Sequence, residues 1–259
     1  MNKQIDIKEL LDWYIMAGVT ETCGDLPCLN TSTLAVETPT HSTQPANTSS
    51  KTLNTSQSAL YKNARDITQN AKTLEELRDI LLNFEGCSLK NTAANTVFGD
   101  GNPEAKIMLI GEAPGADEDR IGKPFVGRCG KLLDKMLEAI NINRSSCYIT
   151  NILPWRPPGN RTPTDDELAL CLPFLKRQIE LINPDYILLL GGIALKSLME
   201  TNDSISKSRG KWFEYNISSE KTALVLATFH PSYLLRSSLQ KQKSWMDLIR
   251  LKNKINNNV

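Results

Sequence analysis

Four apolar runs constrain this chain more than any other feature: KIMLIG (106–111), CYITN (147–151), DYILLLG (185–191) and TALVLATFH (222–230). None alternates apolar with polar residues, so each reads as a strand covered on both faces. Helical stripes separate them. Leu132, Leu133, Met136, Leu137 and Ile140 form one stripe. Leu168, Cys171, Leu172, Leu175, Ile179 and Ile182 form another, behind the capping box Thr164-Asp-Asp-Glu167. A third helix is predicted over Ile193–Met199, and a last one after Ser237 with Trp245 and Ile249 inward. Buried strands alternating with helices imply a three-layer α/β/α sandwich around a central four-stranded parallel sheet.

In such folds ligands bind beyond the carboxyl ends of the strands. Glu112 follows the first run, Asn151 ends the second and His230 ends the fourth, so the topology gathers three polar side chains into one candidate site. Around Glu112 the chain reads LIGEAPGADEDRIGKPFVG, in which Gly111, Pro114 and Gly115 permit a tight turn close to a ligand. It carries neither a P-loop nor a dinucleotide fingerprint, so no phosphate cradle is expected. The acids Asp117, Glu118 and Asp119 read either as a solvated loop or as part of the site. His230 is the only histidine of the folded part and no second acidic cluster stands nearby, so no metal site is expected. Asn151 offers both an acceptor and donors and can read one edge of a pyrimidine, or close a strand–loop turn. Phe125 suits either a loop anchor or a plate on which a base stacks.

The domain is expected to span 73–259, opening at a second capping box, Thr73-Leu-Glu-Glu76. Residues 1–72 differ in character. Ile7, Leu10, Leu11, Tyr14 and Ile15 give 6–18 a short amphipathic helix, a candidate protein contact. From 30 to 58, 17 of 29 residues are Thr, Ser or Asn, too polar to offset chain entropy by burial, which predicts a disordered linker. His41 lies within it. Thirty basic against 29 acidic residues do not announce a nucleic-acid partner, yet 228–259 holds six Lys/Arg, including Arg236, Lys241 and Lys243, against Asp247 alone. That local excess suits a polyanion. The six cysteines lack framework spacing and no apolar run approaches the ~20 residues of a membrane span, so a reducing cytoplasm is expected.

Three segments in this order, GEAPGADEDRIGKPFVGRCGKLLDKML, YITNILPWRPPGNRTPTDDE and FHPSYLLR, resemble the thermostable-type (family 4) uracil-DNA glycosylases over roughly residues 84–250. The resemblance implies a DNA repair enzyme, bacterial and nucleoid-associated. It would flip uracil from DNA and hydrolyse the N-glycosidic bond, leaving an abasic site without lyase cleavage. It implies catalytic roles for Glu112 on the water side and His230 on uracil O2. Ala113 would contribute at the base, Glu118 would crowd a 5-methyl group, Phe125 would stack and Asn151 would read the O4/N3 edge. DNA contacts fall on Arg156, Arg161, Ser232, Leu234, Leu235 and Arg236, with Leu234-Leu235-Arg236 entering the duplex. A non-catalytic DNA-binding or polymerase-associated module of the same fold is the alternative; retention of Glu112, Asn151 and His230 together weighs against it.

In one respect the sequence departs from the resemblance. Members usually hold a [4Fe–4S] cluster on four cysteines, whose equivalents here are Cys87, Lys90, Trp155 and Cys171. Lys and Trp do not replace thiolates. Cys23 and Cys28 have the wrong spacing. The expectation is therefore a protein without cofactor, monomeric, with Trp155 filling the vacated volume.

Overall fold

A computed structural model describes residues 55–257. The helix expected over 6–18, together with His41, Cys23 and Cys28, lies outside them. Helix α1 (Thr55–Gln69) precedes α2 (Leu74–Asn83), where only half of the expected capping box forms: the N-cap Thr73 accepts from Glu76 N, but the Glu76 carboxylate accepts from Lys72 N (2.6 Å) instead of from Thr73 N. Then follow β1 (Asp100–Gly101), β2 (Ile107–Gly111), α3 (Ala116–Ile121), α4 (Arg128–Glu138), β3 (Cys147–Asn151) and α5 (Asp165–Ile182). The chain continues through β4 (Tyr186–Leu190), α6 (Gly192–Met199), α7 (Ile205–Ser208), β5 (Trp212–Asn216), β6 (Thr222–Thr228), α8 (Pro231–Arg236) and α9 (Lys241–Asn256).

The sheet has the order β1-β3-β2-β4-β6-β5. Its four inner strands are parallel and are the four apolar runs of the sequence. The expected four strands become six, because antiparallel β1 and β5 close the two edges. Neither edge carries a continuous apolar signal: β1 is two residues long and β5, WFEYN, is half exposed.

Alternation along each strand divides the core. Ile107 and Leu109 join α4, α8 and α9 on one face, through Leu133, Leu234 and Leu248. Met108 and Ile110 face α5 and α6 through Ile179 and Leu195. Each fully buried leucine or isoleucine contributes roughly 1.5–3 kcal/mol, so the two layers hold the sheet rigidly between them.

The folded part starts earlier than Thr73. Helix α1 lies in the stretch read as linker and beyond it, and packs on α5 with Ala64 fully buried. Arg177 of α5 donates through Nε and a terminal nitrogen to Ala71 O, at 3.0 and 2.6 Å, which ties down the end of that segment. Tyr61, Ala64, Ile67 and Thr68 recur on the inward face of α1, a helical pattern partly hidden by the Thr/Ser/Asn-rich composition around it.

The topology places the site. From β2 the chain moves outward to β3 on one side and returns to β4 on the other, so a crevice opens at the carboxyl end of β2. Register sets Gly111 beside Asn151, and Leu190 beside Thr228, two residues before His230.

Candidate active site

Beyond β2 the pairing with the β3 segment continues, Ile152 N donating to Gly111 O (3.1 Å) and Leu153 N to Glu112 O (3.0 Å). Glycine at 111 is a steric requirement. A Cβ there would lie 2.3 Å from Asn151 Oδ1 and 2.6 Å from the Phe125 ring. The acidic triplet proves to be the first turn of α3, not a solvated loop. Asp117 is exposed, whereas Asp119 is buried and accepts from Ala94 N (2.9 Å) and Asn95 N (3.2 Å). Glu118 is buried too. Its carboxylate accepts from Gly115 N (3.1 Å), Val126 N (3.0 Å) and Gly127 N (2.9 Å), so it latches the Phe125 loop onto α3. The residue that the resemblance assigns to excluding a methyl group is thus immobilised in the wall. Among the described residues no three His, Cys, Asp or Glu side chains gather as a metal site.

A cavity of about 730 Å³ opens at the strand ends, lined by Glu112, Ala113, Glu118, Phe125, Asn151 and His230 among others. Asn151 is 5 % exposed, and its Oδ1 has no hydrogen-bond partner. A buried amide oxygen left unpaired costs roughly 1–3 kcal/mol, a cost that a donor arriving with a ligand removes. Phe125 and His230 stand 5.7 Å apart between ring centroids, inclined by 36°.

The imidazole is oriented by its own helix. His230 caps α8, and Nδ1 accepts from Ser232 N (3.1 Å) and lies 2.8 Å from Ser232 Oγ. A backbone N–H can only donate, so Nδ1 is unprotonated and the ring proton of neutral His230 sits on Nε2. Burial, then the charge of Arg236, hold the histidine down to about 4, so the ring is neutral at physiological pH. Glu112 moves the other way: desolvation raises its carboxyl above the ordinary 4.5. The cavity therefore pairs a neutral donor with a carboxylate that is costly to ionise.

The expected DNA contacts divide. Arg161, Ser232 and Arg236 line the cavity, although Ser232 is engaged with His230 and Arg161 grips Glu167 through two nitrogens (2.9 and 2.6 Å). Arg156 lies off the lining and donates to Asn160 Oδ1 (2.7 Å). Leu234 corrects the expectation: it is fully buried against the α4 layer, because PSYLLR after the N-cap His230 folds as a helix rather than a loop. Leu235, the next residue of α8, is turned away from that layer and is 40 % exposed. Lys241 is likewise buried, and desolvation lowers its ammonium. Residues 191–193 and Lys196 also line the cavity and were missed. Applying the strand-end rule to β4, whose run ends in Gly191-Gly192, would have found them.

Cys87, Trp155 and Cys171 meet in a separate apolar cluster with Leu89, Leu153 and Phe174. Trp155 is 1 % exposed and its Nε1 donates to Thr96 Oγ1 (2.9 Å). The two thiols hydrogen-bond each other, which lowers Cys87 and raises Cys171. Lys90 pairs with Glu85. The Trp155 indole packs in the same cluster as the two paired thiols, and the other described thiols stand elsewhere, Cys129 at the cavity and Cys147 in β3. These residues do not fit a four-thiolate cluster.

A ring, an amide and a neutral imidazole facing one cavity at the carboxyl edge of a parallel sheet define an α/β site for a flat heterocycle with hydrogen-bonding edges. The chain belongs to the uracil-DNA glycosylase superfamily, whose family description, Uracil DNA glycosylase superfamily, matches residues 98–250. Its relatives include the type-4 uracil-DNA glycosylase of Thermotoga maritima, 44 % identical over 170 residues, 64 % of this chain and 86 % of the relative. The type-4 enzyme of Sulfurisphaera tokodaii is 40 % identical over 168 residues, 63 % and 76 % of the two chains. That of Pyrobaculum aerophilum is 36 % identical over 179 residues, 68 % and 91 %.

Proposed function

We propose that this protein excises uracil from DNA by hydrolysing the N-glycosidic bond, leaving an abasic site. The observation that carries the reading is the unpaired Asn151 Oδ1 in a cavity that also holds the Phe125 ring and the His230 Nε2–H. Uracil supplies what each lacks. Its N3–H donates to Oδ1, the Asn151 amide donates to O4, and Nε2–H donates to O2. Cytosine reverses the first two and is rejected. Phe125 stacks on the flipped base, a contact worth roughly 1–3 kcal/mol against a flipping cost of a few.

As the bond breaks, positive charge develops on the sugar and negative charge on the leaving uracil. Neutral His230 donates to O2 without having to lose a proton, which suits stabilisation of that anion. Glu112, ionised and facing the sugar, stabilises the cation and orients the attacking water. Glu118, fixed in the wall, keeps a 5-methyl group out. The site is complete within one chain, in keeping with a monomer. Among the described residues the one lysine in the cavity lining is Lys196, which is exposed and not desolvated in the way an activated Schiff-base amine is, in keeping with hydrolysis without strand cleavage. Trp155 takes the place of a cluster, and the enzyme works without iron.

The test is purified protein on a uracil-containing oligonucleotide, resolved with and without alkali. Cleavage that appears only after alkali is expected. An intact strand after alkali sinks the function, and cleavage without alkali sinks the monofunctional assignment.

A further inference from the structure

Phe125 has φ +52°, the left-handed region that bulky residues avoid. Such a conformation costs of order 1–3 kcal/mol and persists only where its surroundings enforce it. The enforcing groups can be named. On one side the Glu118 carboxylate accepts from Val126 N and Gly127 N. On the other, the Arg144 guanidinium donates to Pro124 O (2.8 Å) and Phe125 O (3.0 Å). Arg144 is itself aimed by Asp134 (2.9 Å) and Asp100 (3.4 Å), and Asp100 also holds Lys123 (3.0 Å). From below, the first turn of α4 presses so closely that a Cβ on Gly130 would lie 1.8 Å from Phe125 O. Three consecutive peptide units are thus gripped from both directions, with the aromatic ring left projecting into the cavity. Arg144 does not line that cavity.

We infer that Arg144 is a positioning residue for base recognition: its fork holds the Pro124 and Phe125 carbonyls so that the Phe125 ring stays preformed as the stacking plate. A planar, bidentate donor is needed, because one ammonium does not span two carbonyls and two carboxylates in that geometry. The inference rests on the reading of Phe125 as the plate on which uracil stacks.

A double-mutant cycle separates this role from simple support of the fold. Arg144→Ala should slow single-turnover uracil release at saturating DNA by about 10- to 100-fold, the size of effect a displaced contact produces. In a Phe125→Ala background the same substitution should change the rate by less than about twofold, the limit of ordinary additivity errors. Its effect on the thermal midpoint should be equal in both backgrounds. Arg144→Lys should give a smaller loss that Phe125→Ala again cancels, and it carries the cycle if the alanine variant does not fold. Additive rate losses, or a wild-type rate in both Arg144 variants, would overturn the inference. A Phe125→Ala protein as fast as wild type would remove the plate and the inference with it. A wild-type protein that released no uracil would instead sink the function itself.

Discussion

Two clusters in this molecule contrast sharply. At the strand ends, Asn151 Oδ1 is buried without a partner, Glu112 is desolvated and Phe125 is held in a left-handed backbone. Around Trp155 the opposite holds: the indole is sealed, its N–H is bonded to Thr96 and the two thiols satisfy each other. Every polar atom singled out in the first cluster is prepared for something not yet there. Those in the second are already paired. The first cluster carries unfavourable free energy, of which a ligand that pairs Asn151 Oδ1 removes a part, and the second supplies part of the stability that offsets it. Substitutions should accordingly separate, activity failing in one place and folding in the other.

The largest effect is expected where packing replaces a cluster. Trp155→Ala should cost ~3–5 kcal/mol, lowering the thermal midpoint by about 10 °C in a domain of this size. Cys87→Ser and Cys171→Ser should be milder and leave uracil release intact. Iron and sulfide analysis after anaerobic purification should find no stoichiometric metal. A brown protein with about four irons per chain, bleached by either serine variant, would contradict the assignment, because four ligands are then being supplied. It would bring Cys23 or Cys28 back as ligands.

Asn151 should show the reverse pattern. Asn151→Ala removes both contacts to the uracil edge, and Asn151→Asp turns an acceptor toward O4. Either change should cost about 2–4 kcal/mol of transition-state stabilisation, a ~30- to 1,000-fold slower single turnover on U·G DNA. The thermal midpoint should hold or rise, since the alanine removes an unpaired buried oxygen. Unchanged rates in both variants would show that Asn151 closes a turn and nothing more.

The same contrast governs what was legible in the sequence. The four inner strands were visible because strands covered on both faces must be apolar throughout. Strands β1 and β5 were not, since an edge strand needs neither length nor a continuous apolar run. Glu112, Asn151 and His230 followed from topology alone, as polar residues at strand ends. The left-handed turn at Phe125 leaves no trace, because positive φ is signalled by Gly or Asn and here falls on a phenylalanine whose restraints come from 118 and 144. Leu234 was misplaced for a related reason. A motif read as a loop presents all its side chains, whereas a six-residue helix hides one face, and Leu234 is on it.

Acidity should sharpen the distinction between a strained site and a stable frame. Glu112 is raised in the folded protein, so folding favours its protonated form. Its contribution to stability is greatest below the ordinary 4.5 and is lost as pH rises through the raised folded value. At neutral pH the ionised group is a net cost, and Glu112→Gln should raise the thermal midpoint slightly while slowing excision. His230, depressed to about 4, has the opposite sign: its contribution is present above 6.5 and is lost as pH falls toward the folded value. Acidification thus protonates Glu112 from above its ordinary range, whereas burial holds His230 neutral well below its own. The acid limb of the single-turnover rate should lie above 4.5 and disappear from the slower Glu112→Gln enzyme. A limb that survives the substitution unchanged would assign it to another group.

The smallest effect distinguishes two basic residues that are near neighbours in sequence. Arg236 is exposed and lines the cavity, and Lys243 is exposed on α9, whereas Lys241 is buried and already desolvated. A cation that contacts phosphate releases counterions from DNA, and each lost contact flattens the log–log salt dependence of binding by roughly 0.9. Arg236→Gln and Lys243→Gln should each show that flattening, equally for DNA with and without uracil. Lys241→Gln should leave the slope unchanged, because a buried ammonium has no phosphate to neutralise, and should act on the thermal midpoint instead. Isotherms at several salt concentrations decide it. A slope that falls with Lys241 and not with Lys243 would mean that DNA binding reorganises α9 and exposes what the free protein buries.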